Sequence, residues 1–229
     1  MNIEHIISFF KEIPIFSNLS PEEIQTFIYI AKERFFEKGQ AIFYEEDMGT
    51  SFYIIVSGQV KIVMLSSDGR EHILGVLKDK DFFGEMSLLD GEPRSATAIA
   101  LEDVKVLSIS RDAFMKLLRE NPDICLKILV TLSKRLRQTD KRVESLAFLS
   151  APGRVARTLL EFAKEHGEKK DDDIHVHHKM IRQEFANIAG TSRETLTRVL
   201  MDFQGEGILT VKKNLIILHS LNRLKEKIV

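Results

Sequence analysis

Tryptophan is missing from this 229-residue chain, cysteine occurs once and proline five times. The lone Cys125 can neither close an internal disulfide nor by itself hold an iron-sulfur cluster or a structural zinc. That excludes a disulfide-stapled secreted module and points to a reducing cytoplasm. No apolar run approaches the roughly 18 to 20 residues that cross a bilayer, and acidic Glu4 stands where a secretory leader would be basic. Neither membrane insertion nor export is expected. A surplus of charge is lacking too: 33 Lys and Arg face 34 Asp and Glu, a net charge of −1. The balance hides an asymmetry, because residues 1–149 carry 19 basic and 23 acidic side chains whereas residues 150–229 carry 14 and 11. Only the second part has the sign that suits a phosphate-rich partner, and ordinary scatter of surface charge accounts for the difference equally well.

What is present suffices for two compact domains of ordinary size, with 44% apolar residues. From Ile3 to Ala31, helical spacing of Ile6, Ile7 and Phe10, and a cap at Ser20-Pro21-Glu22-Glu23, predict two short helices. From Glu33 to Ile109 short β-branched and aromatic runs alternate with turn residues at Gly39, Gly49, Gly58, Asp68-Gly69 and Asp90-Gly91. With no long helix between them, six or more such strands predict an antiparallel sandwich or barrel. Ser110-Arg111-Asp112 then caps a helix through Leu118, and Asn121-Pro122 opens a much longer one to about Phe148. In it Cys125, Leu129, Leu132, Leu136, Thr139, Val143 and Leu146 recur at alternating spacings of four and three, a heptad seam. At roughly 39 Å this helix outruns one small β domain. Ile124, Leu126 and Ile128 lie off the seam, so one side can face the β domain while the other meets a second chain.

Ser150-Ala151-Pro152-Gly153 breaks the pattern and marks a boundary. Beyond it the sequence predicts a helix (154–166), a polar loop (167–173), a strand (174–177) and two short helices about a turn at Gly190. Two β segments (208–211, 214–219) and a basic tail follow. Helix, turn, helix and a two-stranded wing is a DNA-reading arrangement. The expected organisation is α+β: a β domain over 1–120, a long helix over 121–149 and a winged helix-turn-helix over 150–229.

Chemistry concentrates in FGEMSLLDGEPRSATA, residues 83–98. A glycine before a short helical stretch gathers free N–H groups at one point, and Arg94 adds a guanidinium able to grip an anion bidentately. Glu85, an acceptor when ionised, suits a sugar hydroxyl beside that phosphate. Taken by spacing alone, a Glu and an Arg nine residues apart also fit a structural ion pair.

That stretch resembles the phosphate-binding cassette of cyclic-nucleotide-binding domains. RLRQTDKRVESLAFLSAPGRVARTLLEFA and IRQEFANIAGTSRETLTRVL are similar, in the same order, to the dimer helix and helix-turn-helix of the cyclic-AMP receptor and fumarate-nitrate-reduction regulator superfamily. The resemblance implies an N-terminal jelly-roll-like β-roll that binds cyclic AMP, a homodimer, double-stranded DNA as partner and no enzymatic activity. It implies that Arg94 and Ser95 hold the cyclic phosphate, that Glu85 takes the ribose 2′-hydroxyl and that Gly84 permits close backbone approach, with Met86 and Ala96 beside them. It further implies that Thr139, and with it Arg135, reaches the ligand from the long helix. Asp140 departs from the pattern, standing where the cyclic-AMP receptor has a serine. Its carboxylate either accepts from adenine's amino group or points to solvent, which leaves the base open.

In the second motif Thr191-Ser192 caps a helix beginning near Arg193, and i to i+4 spacing puts Glu194 and Arg198 on one face. Arg suits guanine O6 and N7 and Glu suits cytosine N4, although an ion pair is the ordinary reading of that spacing. The resemblance assigns base reading to Arg193, Glu194 and Arg198, a phosphate contact to Ser192, and DNA contacts to Arg182, Thr197 and Lys212. The half-sites it implies are TGTGA-like and palindromic, with RNA polymerase as a further partner. No metal or cofactor is expected, since the cluster His175, His177 and His178 has no thiol or carboxylate placed to complete a site and His72 is the single histidine of the β region. That also argues against a cupin-like enzyme. Relatives of the same architecture that sense cyclic GMP, a cyclic dinucleotide, 2-oxoglutarate or haem-bound gas, or that need no ligand, form the alternative.

Overall fold

A computed structural model describes residues 3–66, 71–178 and 181–228, so the turn expected at Asp68-Gly69 lies outside the described residues. The chain divides into two compact units, Met1–Leu136 and Arg137–Val229.

The first unit opens with α1 (Ile3–Glu12), a 3-10 turn (Pro14–Phe16) and α2 (Pro21–Ile30). Ser20 and Glu23 satisfy each other's backbone N–H groups at 3.2 and 2.7 Å, the reciprocal cap that the sequence foretold. Eight strands follow: β1 (Lys32–Phe36), β2 (Ala41–Phe43), β3 (Ser51–Ser57), β4 (Val60–Leu65), β5 (Glu71–Leu77), β6 (Phe82–Phe83), β7 (Thr97–Ala100) and β8 (Val104–Ser110). They form two four-stranded antiparallel sheets, ordered β1-β8-β3-β6 and β2-β7-β4-β5. One core joins the sheets, with Phe36, Tyr53 and Val106 from the first and Ile42, Val60 and Ala98 from the second, which makes the expected β-roll. A single helical turn, α3 (Met86–Leu89), follows β6, and α4 (Arg111–Glu120) starts at the Ser110 cap.

The long helix α5 runs from Pro122 to Phe148, as its spacing predicts. Ile124 and Ile128 are buried in a core shared with Phe10, Phe16, Phe27 and Phe114. Two members of the expected dimer seam also pack within the chain. Cys125 and Leu132 are half-buried against that same core, and the Cys125 thiol donates to the Leu118 carbonyl at 3.3 Å. The start of the seam is thus used within the chain, because a 3.6-residue helix drifts relative to a seven-residue repeat. Leu129, Leu136, Val143 and Leu146 stay exposed, and Leu126 joins them.

In the second unit α6 spans Ala151–His166, so Ala151-Pro152-Gly153, expected to precede a helix starting at residue 154, is its first turn. Ser150 Oγ accepts the Gly153 N–H at 3.3 Å, and Pro152 falls in the first turn, where its missing N–H costs nothing. The expected loop over 167–173 is a hairpin of β9 (Gly167–Lys170) and β10 (Asp173–His177), reversed with Asp171 at φ 54°. Then come α7 (Arg182–Ile188), α8 (Arg193–Gly205), β11 (Leu209–Lys212), β12 (Leu215–Leu218) and, in place of a tail, α9 (Leu221–Glu226). The wing belongs to a four-stranded sheet, β11-β12-β10-β9, rather than a lone pair. Val155, Leu159, Phe185, Leu196, Phe203 and Ile216 lie at its core. None of the described helices is long and apolar enough to cross a membrane.

Candidate functional site

In the first unit the β6–α3 connection brings Gly84, Glu85 and Arg94 together. Gly84 adopts φ 80°, and a Cβ there would stand 2.8 Å from Arg94 Nη1 and 3.2 Å from the Ser51 carbonyl, so both conformation and space require glycine. Arg94 is only 4% exposed. Its Nη1 donates to the Gly84 carbonyl at 2.6 Å and to Ser87 Oγ at 2.9 Å, and its Nη2 donates to the Ser51 carbonyl at 2.7 Å. The guanidinium carbon lies 4.2 Å from the centre of the Phe43 ring, a cation-π contact. Arg94 Nε is buried without a partner, which in a folded protein marks a place for an acceptor. Ser95 is exposed and Ala96 buried, and the Ser95 hydroxyl reaches the Met86 sulfur at 3.7 Å.

Glu85 is 2% exposed, and Arg135 of α5 donates to its Oε1 at 2.8 Å. Burial pushes the Glu85 carboxyl above the ordinary carboxylate range, opposed mainly by the charge of Arg135. Arg135 also donates to the Phe82 carbonyl, and its guanidinium carbon lies 4.8 Å from the Phe82 ring centre. Through these contacts Arg135 holds the carboxylate and ties the cassette to α5. Thr139 and Asp140 are exposed on α5 and belong to the second unit.

In the second unit Gly190 makes the turn between α7 and α8 at φ 61°. Arg154 secures that turn, donating to the carbonyls of Ala189 and Gly190 at 3.2 and 3.0 Å and to that of Leu149 at 2.8 Å. Ser192 caps α8, its Oγ accepting the Thr195 N–H at 3.1 Å. The helix buries Leu196, Val199, Leu200 and Phe203 and turns Arg193, Glu194, Thr197 and Arg198 outward. Among the described residues Glu194 and Arg198 form no ion pair, so neither is consumed by the other. Its own backbone N–H, then Ser192, holds the Glu194 carboxyl below its usual range, so it is ionised at neutral pH. Arg182, at the start of α7, and Lys212, at the end of β11, are exposed and line one groove together with Arg193. An acidic acceptor flanked by exposed cations on a rigid helix can read base edges, and the flanking cations can meet phosphates.

Sequence reasoning missed Phe43, Ser51, Ser87 and Arg154. Phe43, Ser51 and Arg154 act through neighbours distant in the chain, and nothing in its spacing marks Ser87, seven residues from Arg94. Gly49, read as a turn residue, packs its Cα face against Ser87. Among the described residues no three His, Cys, Asp or Glu are grouped as metal ligands.

Residues 33–121 match the cyclic nucleotide-binding domain model, and residues 153–227 match the Crp-like helix-turn-helix domain model. The CRP-like cAMP-activated global transcriptional regulator of Mycobacterium tuberculosis is 33% identical over 213 residues, covering 93% of this chain and 95% of that protein. The cyclic AMP receptor protein of Thermus thermophilus is 36% identical over 199 residues, 87% of this chain and 89% of its own. Among solved structures, the c-di-GMP responsive global regulator CLP of Xanthomonas campestris superposes with a TM-score of 0.77 at 28% identity, covering 88% of this chain and all of that one.

Proposed function

From the premise that this chain belongs to the CRP/FNR family of ligand-responsive, DNA-binding transcription regulators, we propose that its effector is cyclic AMP and that the active species is a homodimer. The observation that carries the reading is Arg94, a buried guanidinium with an unpartnered Nε next to the buried carboxylate of Glu85. A compact anion with an adjacent hydroxyl satisfies both: the cyclic phosphate meets Arg94 and Ser95, and the ribose 2′-hydroxyl donates to Glu85. Glu85 is in turn held by Arg135 of α5, so occupancy of the pocket is felt along that helix. The exposed stripe of Leu129, Leu136, Val143 and Leu146 suits the matching helix of a second copy.

Ligand shifts the dimer only if it binds the DNA-competent state more tightly, and operator DNA then raises nucleotide affinity by the same factor. Paired α8 helices about 34 Å apart would read palindromic, TGTGA-like half-sites through Arg193, Glu194 and Arg198, with RNA polymerase recruited at activated promoters. Thr139 and Asp140 would meet the base. An acceptor carboxylate at Asp140 favours adenine's amino group over guanine's carbonyl oxygen, so Asp140→Ala should narrow the preference for cyclic AMP over cyclic GMP.

The test is a thermal-shift panel of cyclic AMP, cyclic GMP, cyclic di-GMP and 2-oxoglutarate on the purified chain. Stabilisation by cyclic AMP at the lowest concentration supports the reading. Stabilisation by another member alone replaces the effector. Binding of operator DNA at full strength by a monomer that none of them stabilises removes the switch.

A further inference from the structure

Arg94 has five N–H groups, and their accounts are unequal. Nη1 spends both of its hydrogens on the Gly84 carbonyl and Ser87 Oγ, Nη2 spends one on the Ser51 carbonyl, and Nε spends none. The edge left for a ligand is therefore the one that carries Nε–H and the second Nη2 hydrogen, which point the same way and match two oxygens of one phosphate. Which edge is presented depends on rotation of the guanidinium in its own plane. The Phe43 ring, 4.2 Å away, fixes the plane without fixing that rotation, so the acceptors around Nη1 and Nη2 set it together.

Of those acceptors, Ser87 Oγ is a side-chain atom, 3% exposed on α3. Its place exists because residue 49 has no side chain. A Cβ on Gly49 would stand 2.0 Å from Ser87 Oγ, 2.7 Å from Ser87 Cβ and 3.4 Å from Arg94 Cζ. The first two separations are below any real contact, and both neighbours are packed. Gly49 lies outside the cassette in sequence, in the β2–β3 connection, yet it decides whether the serine hydroxyl can stand beside the arginine.

We propose that Gly49 and Ser87 are a matched pair that sets the rotation of Arg94, making Ser87 a positioning residue for anion binding. The inference rests on the reading of the cassette as a cyclic-phosphate site. Without the hydroxyl only the Gly84 and Ser51 carbonyls hold the guanidinium, one Nη1 hydrogen is left to seek another acceptor, and the Nε edge is held out less firmly. A hydrogen bond to a charged group is worth about a tenfold change or somewhat more in an equilibrium.

Calorimetric titration of the full chain with cyclic AMP and cyclic GMP tests this on four variants. Ser87→Ala should weaken both nucleotides by about tenfold and by the same factor, because the edge it sets faces phosphate and not base. Gly49→Ala should lose at least as much. Gly49→Ala combined with Ser87→Gly should bind like Ser87→Gly alone, several-fold tighter than Gly49→Ala, since the clash has gone. Unchanged binding by Ser87→Ala, or losses that simply multiply in the double variant, overturns the pairing. Side-chain NMR of nitrogen-labelled arginine in the nucleotide-free chain supplies a readout independent of the effector. The buried Arg94 Nε–H should give an exchange-protected signal that is lost in Ser87→Ala and Gly49→Ala. If the unaltered chain binds neither nucleotide, the effector reading fails, and this signal still decides the pair: its persistence in Ser87→Ala overturns the proposal.

Discussion

Arg94 and Arg198 are proposed for the same chemical task, offering a guanidinium to an oxygen-rich partner, from opposite surroundings. Arg94 is buried, with three of its hydrogens spent on fixed acceptors and an aromatic ring under its face. Arg198 stands exposed on a helix whose other side is core. The difference separates two ways of storing binding energy. In the cassette the desolvation of the charge is met during folding, so the ligand finds an oriented donor, and any change there disturbs fold and affinity together. On α8 water holds the charges until DNA displaces it, so changes there alter affinity and sequence choice while leaving folding nearly untouched.

The contrast breaks most visibly at Arg94. Arg94→Leu should cut cyclic-nucleotide affinity by at least about a hundredfold, with Arg94→Lys nearly as damaging because lysine keeps the charge but lacks the bidentate edge. Calorimetry gives the affinity and sedimentation checks that the dimer survives. Equal binding by Arg94→Lys would mean that bulk charge rather than orientation matters.

Next comes Arg135→Ala, which strands the Glu85 carboxylate in the protein interior and should cost about 2 to 3 kcal/mol of unfolding free energy in the nucleotide-free chain. Adding Glu85→Gln should recover most of it. Because burial raises the Glu85 carboxyl, the folded state holds its proton to higher pH than the unfolded state does. That contribution to stability is complete below the unfolded value, about 4.3, and fades as pH rises through the folded value. Denaturation of Arg135→Ala across that window should therefore show stability falling with rising pH, a slope that the added Glu85→Gln abolishes.

Glu194→Ala sharpens the other side of the comparison. It should relax base choice at one position of each half-site by about 1 to 3 kcal/mol, whereas Lys212→Ala should weaken specific and random DNA alike and lower the salt slope by about one. Neither should move unfolding free energy by more than about 0.5 kcal/mol. Equal loss by Glu194→Ala on specific and random DNA would remove base reading from α8. The smallest effect concerns Glu46, a non-glycine residue at φ 67° whose N–H donates to the Arg94 carbonyl at 2.9 Å. Glu46→Gly should stabilise the chain by about 1 kcal/mol in chemical denaturation, with nucleotide affinity unchanged.

Local signals carried far in this chain. Ser20, Ser110 and Ser192 cap the helices they precede in the sequence, and the period of the long helix fixed its extent. Where reading failed, the deciding partner lay elsewhere. Gly167–Lys170 reads as a polar loop because all four residues are exposed, and it is a strand through the hydrogen-bonding edge that β10 offers it. Ala151-Pro152-Gly153 contains two helix breakers, yet a first turn tolerates both once Ser150 caps it. Cys125 and Leu132 sit in register with the exposed leucines, and that they are half-buried within the chain follows from the packing of α5 on the N-terminal core rather than from their spacing.

The residues that bear charge and chemistry, Glu85, Arg94, Arg193, Glu194 and Arg198, were set by the amino-acid order alone, because cap, turn and helix spacing act over a few residues. Their working state was not. That Arg94 is committed along one edge and open along the other follows from Gly49 and Ser51, more than forty residues earlier in the chain, and from Ser87 on the neighbouring α3, which the fold brings together around it. Hydrogen-bond direction and burial are properties of what surrounds a side chain, and only folding supplies those surroundings.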